Sequence, residues 1–274
     1  MKRGRRMAAR FTPALVMVAA LGGPPSWAGT SGPPDSTAVV TPSLPAPQPQ
    51  KSASLLGRGD VLFVIATAGA VAITAPHDEW VASEASGPSA PGGRDLARIA
   101  QPLGNGAIVL PALAASWLVA RATGRTEGAR SITRIGVSVC AAGAGSLLVK
   151  EVVGRSRPVE SPGDSDNLDP FSGHESFPSG HAAVAFALAT AINRESSWQG
   201  TPWITYPLAA LVGWSRVHDQ QHWASDVVAG AALGTWTAHK VEDVMNPARH
   251  SSSRVHLEIR SLEGLPALAV AVGH

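Results

Sequence analysis

Lys150, Arg157 and Arg216 are three cations that alternate along the chain with two histidines, His181 and His222, and are followed by the carboxylate of Asp226. Written out, the pattern is Lys150, six residues, Arg157-Pro158; then Pro178-Ser179-Gly180-His181; then Ser215-Arg216, five residues, His222, three residues, Asp226. The chemistry that needs such a set is phosphoryl transfer. Charge spreads over the equatorial oxygens of the phosphate while the attacking and leaving atoms lie in line, so cations and aimed donors must meet at one point. Arg216 brings a planar fork that holds two oxygens at once. The spacing of Lys150 and Arg157 predicts one helical face two turns apart, with Pro158 stopping the helix just beyond. Ser179 and Gly180 open an apolar run to Ile192, so free N–H groups of a helix start face the phosphate. Gly180 lets the oxygens approach, and Ser179 adds its hydroxyl as a donor.

The two histidines are left for bond breaking. His222 and Asp226 are four residues apart, which predicts one helix face on which the carboxylate takes the Nδ1 proton and leaves Nε2 free to attack phosphorus. Attack gives a phosphohistidine and divides one displacement into two. His181, at the mouth of the other helix, is placed to protonate the leaving alcohol and then to deprotonate water. Each residue alone has a plainer explanation. Lys150 and Arg157 would be ordinary cations at a helix C-terminus, Ser179 an N-cap, and Asp226 a cap of its own helix. Those explanations give no reason for three blocks in this order.

The eleven specified positions resemble the three-part signature of the type 2 phosphatidic acid phosphatase and vanadium haloperoxidase superfamily, over residues 130 to 240 and with no departure at any of the eleven. The resemblance implies a nucleophile on the third block, His222, and an acid/base on the second, His181. It implies no metal and no other cofactor for a hydrolase, with Lys150, Arg157 and Arg216 supplying the charge that a divalent ion supplies elsewhere. A haloperoxidase of the same superfamily would use the oxyanion site to hold vanadate, with His222 as its ligand.

These residues must be carried by helices. Apolar, Ala- and Gly-rich runs occupy 61–75, 99–120, 135–149, 178–192, 203–214 and 227–238, without strand-type alternation. They predict an all-α six-helix bundle, of the kind this superfamily has, with the motif blocks converging at one end. In the tail, Val255, Leu257 and Ile259 alternate with polar residues before Glu263-Gly264 and a second apolar run, which predicts a short β-hairpin. Cys140, the only cysteine, excludes an intrachain disulfide, and its apolar neighbours predict a buried side chain. His174, His218 and His239 have no partner at ligand spacing and read as solvated or locally bonded. The acidic loop of Glu160, Asp164, Asp166, Asp169 and Glu175 reads as solvated, with a gate or cation site as the alternative.

At 274 residues, 45% apolar and 15% charged, the chain is too apolar for overall disorder. Five basic residues, Lys2, Arg3, Arg5, Arg6 and Arg10, precede the apolar stretch Ala14 to Leu21 and Ser26-Trp27-Ala28. Residues 1–28 therefore read as a secretory signal peptide and 29–54 as a Pro/Ser-rich disordered linker, followed by the helical domain 55–245 and the tail 246–274. Nothing basic follows the leader to argue for nucleic acid.

The runs are short for membrane spans, yet they are apolar on all sides and rich in small residues. If they span, Arg121, Arg125, Arg130 and Arg134 mark the second link as cytoplasmic and put the catalytic loops outside. A cleaved leader makes the opposite demand. The expected function is an envelope phosphatase, inner-membrane associated with its site facing the periplasm, acting on lipid phosphates or pyrophosphates. The alternatives are a soluble periplasmic acid phosphatase of broad specificity, a vanadium haloperoxidase, and a non-catalytic phosphate- or lipid-binding protein.

Overall fold

The computed structural model describes residues 57–87, 93–247, 255–262 and 265–272. The expected leader and linker lie outside these. The described chain forms α1 (Arg58–Thr74), a single 3₁₀ turn (Ala75–His77), α2 (Asp78–Ser86), α3 (Gly93–Gly104), α4 (Gly106–Ala122), α5 (Thr126–Val153), α6 (Gly180–Glu195), α7 (Pro202–His218) and α8 (Ala224–Met245). The bundle is all-α, but its helices outnumber the six apolar runs. The run 99–120 divides at Asn105, whose side chain accepts the Ala107 N–H at 2.9 Å and caps α4, and the two halves meet at 56°. The first run extends through the 3₁₀ turn into α2, a polar segment that periodicity did not reveal. In the tail, β1 (Val255–Leu262) and β2 (Leu265–Val272) pair antiparallel, with Val255 opposite Val272 and Leu262 opposite Leu265.

Small side chains set how closely the helices approach. The centre of α6 buries Ala182, Ala183, Ala185, Ala187, Ala189 and Ala191 among α5, α7 and α8. Along α8, a Cβ on Gly230 would stand 2.3 Å from the Ser179 carbonyl oxygen, and one on Gly234 would stand 2.1 Å from that of Ala183. The two backbones therefore touch, and the start of α8 is held against the start of α6. Outside the core the surface stays apolar, with Leu62, Ile65, Ile73, Leu147 and Leu148 exposed. Cys140 is also exposed, contrary to the sequence expectation, because apolar neighbours in this chain mark the outer belt as well as the core.

Among the described residues two helical stretches are long and apolar enough to cross a membrane, Arg58–Ser86 and Thr126–Val153, and the bent α3–α4 pair is a third candidate. Ion pairs fix which ends lie together. Asp60 at the start of α1 takes Lys240 at 2.6 Å, and Arg134 near the start of α5 reaches Glu242 at 3.7 Å, both near the end of α8. Lys150 and Asp78 lie at the other end, where α8 begins. The start of α1 and the arginine-rich α4–α5 link thus share the end of the bundle away from the motif blocks.

Candidate active site

The first block is shaped by a glycine. Gly154 takes φ 59° and ψ 45°, and its N–H caps Lys150 at 2.9 Å. A Cβ there would stand 1.8 Å from the Asp169 carbonyl oxygen. The chain leaves the helix at this point, so α5 ends before Arg157 rather than at Pro158. The expectation of one helical face for Lys150 and Arg157 is therefore corrected: Lys150 rides the last turn of α5, and Arg157 lies on the loop beyond. Both still converge. Lys150 donates to the Glu175 carbonyl, while Arg157 reaches the Glu175 carboxylate at 3.2 Å and Gln221 Oε1 at 3.2 Å.

The second block opens α6. Ser179 is its N-cap, with Oγ accepting the Ala182 N–H at 3.4 Å, so the hydroxyl proton stays available to a ligand. Ser179 N–H donates to the Asp226 carbonyl at 2.9 Å, tying this block to the third. A Cβ on Gly180 would stand 3.8 Å from Lys150 Cε, so the helix start faces the lysine. In the third block, Arg216 is buried in the last turn of α7 and reaches Asp219 at 3.8 Å. His222 follows in the bend before α8, its N–H donating to the Arg216 carbonyl at 3.2 Å.

The structure corrects the partner expected for His222. The imidazole precedes α8, so it does not share a helix face with Asp226, and its Nδ1 lies 3.8 Å from the carboxylate. Nδ1 instead lies 2.7 Å from the Ser176 carbonyl, to which it donates, leaving Nε2 with its lone pair free. Asp226 is fully buried and accepts three other donors: the Ser176 hydroxyl, Arg155 Nη1 at 2.7 Å and Trp223 N–H at 2.8 Å. The last of these caps α8, so Asp226 does act as a cap of its own helix. Ser176, Arg155 and Asp78, which pairs with Arg155 at 2.9 Å, were missed from sequence. The turn signal at Gly154 would have pointed to Arg155. Nothing in the sequence pointed to Asp78.

Burial and the surrounding charges leave distinct marks. Burial, then Arg216, His222, Lys150 and Arg157, push His181 down to about 4. Burial also pushes His222 below its ordinary value, opposed by Asp226, while Asp226 is held below the usual carboxylate range by its donors and Arg155 despite its burial. Three buried nitrogens in this group have no partner among the described residues: Arg157 Nε, Arg216 Nε and His181 Nε2. Buried polar atoms are seldom left so, and together with Lys150 and the α6 start they form a cradle for a tetrahedral anion. His174, His218 and His239 have local partners, Glu160 at 3.4 Å, Asp219 at 3.0 Å and Arg194 at 3.3 Å. Glu160 accepts the Arg157 N–H at 3.0 Å. Among the described residues no group of three or more His, Cys, Asp or Glu is arranged to hold a metal ion.

Residues 131–245 match the model of the PAP2 superfamily. Over 62 residues the chain is 47% identical to a lipid A 1-phosphatase of Porphyromonas gingivalis, covering 22% of this chain and 14% of that protein. Over 89 residues it is 36% identical to an undecaprenyl-diphosphatase of Sulfolobus acidocaldarius, covering 32% of this chain and 42% of that one. The chain thus spans less than half the length of these curated relatives. Among solved structures it is similar to a transmembrane PAP2-type phosphatidylglycerolphosphate phosphatase from Bacillus subtilis, at 22% identity and a TM-score of 0.47, covering 68% of this chain and 92% of that one.

Proposed function

We propose that the protein, whose residues 131–245 match the model of the PAP2 superfamily, is a phosphatase that removes phosphate from lipid phosphates or pyrophosphates through a phosphohistidine on His222. The observation that carries this is the cradle itself, in which three cations and a helix start meet two histidines, and Arg157 Nε, Arg216 Nε and His181 Nε2 are buried with no partner among the described residues. His222 Nε2 attacks phosphorus, forming the N–P bond as the P–O bond to the lipid breaks. The leaving oxygen takes the His181 proton. His181 then takes a proton from water, whose oxygen attacks the phosphohistidine, and the N–P bond breaks to restore His222 and release phosphate. Lys150, Arg157 and Arg216 stabilise the equatorial oxygens throughout, with no metal ion in the scheme. In the empty cradle burial, and then the cations, hold His181 unprotonated at neutral pH, and the charge of a bound phosphate offsets the cations and raises its proton affinity.

Lipid substrates are favoured by the apolar belt and the span-length helices, since a bundle spanning a bilayer would carry its catalytic end at the bilayer surface. The relatives' names, lipid A 1-phosphatase and undecaprenyl-diphosphatase, point to the same class. For orientation, we follow the arginine link. Arg121, Arg125 and Arg130 at the far end favour the cytoplasm, while the catalytic end carries Glu160, Asp164, Asp166 and Asp169. The active site then faces the periplasm. Because the start of α1 lies with the link, a cleaved leader would reverse this placement, and a reporter after Asn246 separates the two. The reaction is tested by phosphate release from a panel of purified lipid phosphates, lipid diphosphates and soluble esters. Turnover of the lipids that is lost in His222→Asn supports the reading; no turnover of any phosphate by the wild type contradicts it.

A further inference from the structure

Arg155 is 6% exposed and spends every donor inside the protein. Nη1 reaches Asp226 Oδ1 at 2.7 Å and Ser225 Oγ at 2.7 Å; Nη2 reaches Asp78 Oδ2 at 2.9 Å and the Ser165 carbonyl at 2.6 Å; Nε reaches the same carbonyl at 2.9 Å. Its plane stands over the Trp223 ring, 5.6 Å from the centroid. Asp78, wholly buried on α2, also accepts Ser225 N–H at 2.8 Å and the Ser225 hydroxyl. A buried ion network of this kind gives little net stability, so its retention behind a nucleophile calls for another reason.

We propose that Arg155 and Asp78 are positioning residues that fix the His222 imidazole through Ser176. This rests on the reading of His222 as nucleophile. Ser176 is held at both ends by Arg155: its N–H donates to the Arg155 carbonyl at 2.9 Å, and its hydroxyl donates to Asp226, which the Arg155 guanidinium anchors. Its carbonyl, so placed, takes the His222 Nδ1 proton at 2.7 Å. The consequence is electronic as well as geometric. A neutral carbonyl fixes the tautomer, and Arg155 keeps the Asp226 carboxylate engaged 3.8 Å away, which moderates its pull on the imidazole. The charged groups around His222 are then Asp226 from α8, Lys150 from α5, Arg216 from α7 and His181 from α6, with Arg155 and Asp78 behind Asp226.

The two residues carry opposite charges, so their removal has opposite electrostatic signs. In Arg155→Met, Asp226 loses its cation and its carboxylate acts on His222 unopposed, which raises the imidazole pKa by about 1 unit. In Asp78→Asn, a negative charge is lost and Arg155 draws more on Asp226, so the same pKa falls. Arg155→Lys keeps the charge but not the fork and should restore the wild-type pKa while leaving kcat reduced. The experiment is NMR titration of the His222 imidazole in the detergent-solubilised full chain and these variants, beside pH profiles of kcat/KM. Opposite displacements in Arg155→Met and Asp78→Asn, with an acid limb that follows the imidazole, are expected. An unmoved His222 pKa in folded Arg155→Met, or the same displacement in both variants, overturns the proposal; should Arg155→Met not fold, an unmoved pKa in Asp78→Asn together with a displaced one in Arg155→Lys does so. Failure of the phosphatase reading would look different: no turnover in the wild type, whatever the titration shows.

Discussion

Removing the imidazole of His181 should have an effect that depends on the leaving group. An alkyl phosphate needs a proton as its oxygen departs, so His181→Ala should lose about 100- to 10,000-fold in the first phosphoryl transfer. A nitrophenyl phosphate, whose leaving group departs as a stable anion, should lose much less, and equal losses in pre-steady-state transfer would remove His181 from the acid role. The pH dependence follows from the same two residues. His222 must be neutral to attack, and its proton affinity lies below the ordinary 6.5, so it stays competent as pH falls through that value. His181 must carry a proton to donate, and in the empty site it does so only near and below about 4. The kcat/KM profile on an alkyl phosphate should therefore peak on the acid side of 6.5 and fall as pH rises, whereas a maximum at pH 8 would contradict the assignment. The membership of the site was legible, because residue type and spacing pointed to these side chains and the structure brings them together. Their partners were not, since the carbonyl that holds His222 belongs to Ser176, 46 positions away, and a backbone acceptor has no side-chain signature.

Helices bring the blocks together, and their ends decide the result. The apolar runs showed where the helices lie but not where they stop. Gly154 ends α5 before Pro158 can, Asn105 divides a run that hydropathy reads as continuous, and α2 is too polar to stand out at all. These are events of single residues at helix termini, where a window of apolar periodicity carries little information. The contact between α6 and α8 offers a test at this scale. Since a Cβ on Gly234 would stand 2.1 Å from the Ala183 carbonyl oxygen, Gly234→Ala must push the helices apart, at a cost of about 1–3 kcal/mol. Thermal melting in detergent should show the loss. Activity should fall with it even at temperatures where the variant is folded, because the same contact holds the third block against the second. A variant with unchanged melting and full activity would show that this backbone contact does not position the site.

Among the described residues, the bundle joins a charged end that carries the motif blocks to an apolar body. Its all-α nature and the convergence of the blocks at one end were legible, because both follow from patterns spread over many residues. Which face meets lipid was not, since Cys140 and Leu147 have the same apolar surroundings in sequence as residues of the core. Alkaline carbonate should leave the protein in the membrane pellet, whereas quantitative release into a periplasmic extract would favour a soluble acid phosphatase. Chelation by EDTA should leave most of the activity and vanadate should inhibit; activity that returns only with added Mg²⁺ would contradict a metal-free cradle. The central claim is transfer of phosphate to His222, and rapid acid-free quenching of the full-length protein with a radiolabelled lipid phosphate tests it most directly. A base-stable, acid-labile phosphoprotein should appear before free phosphate, map to the peptide containing His222 and be absent from His222→Asn. Turnover with no such label, or label that persists in His222→Asn, would contradict the account.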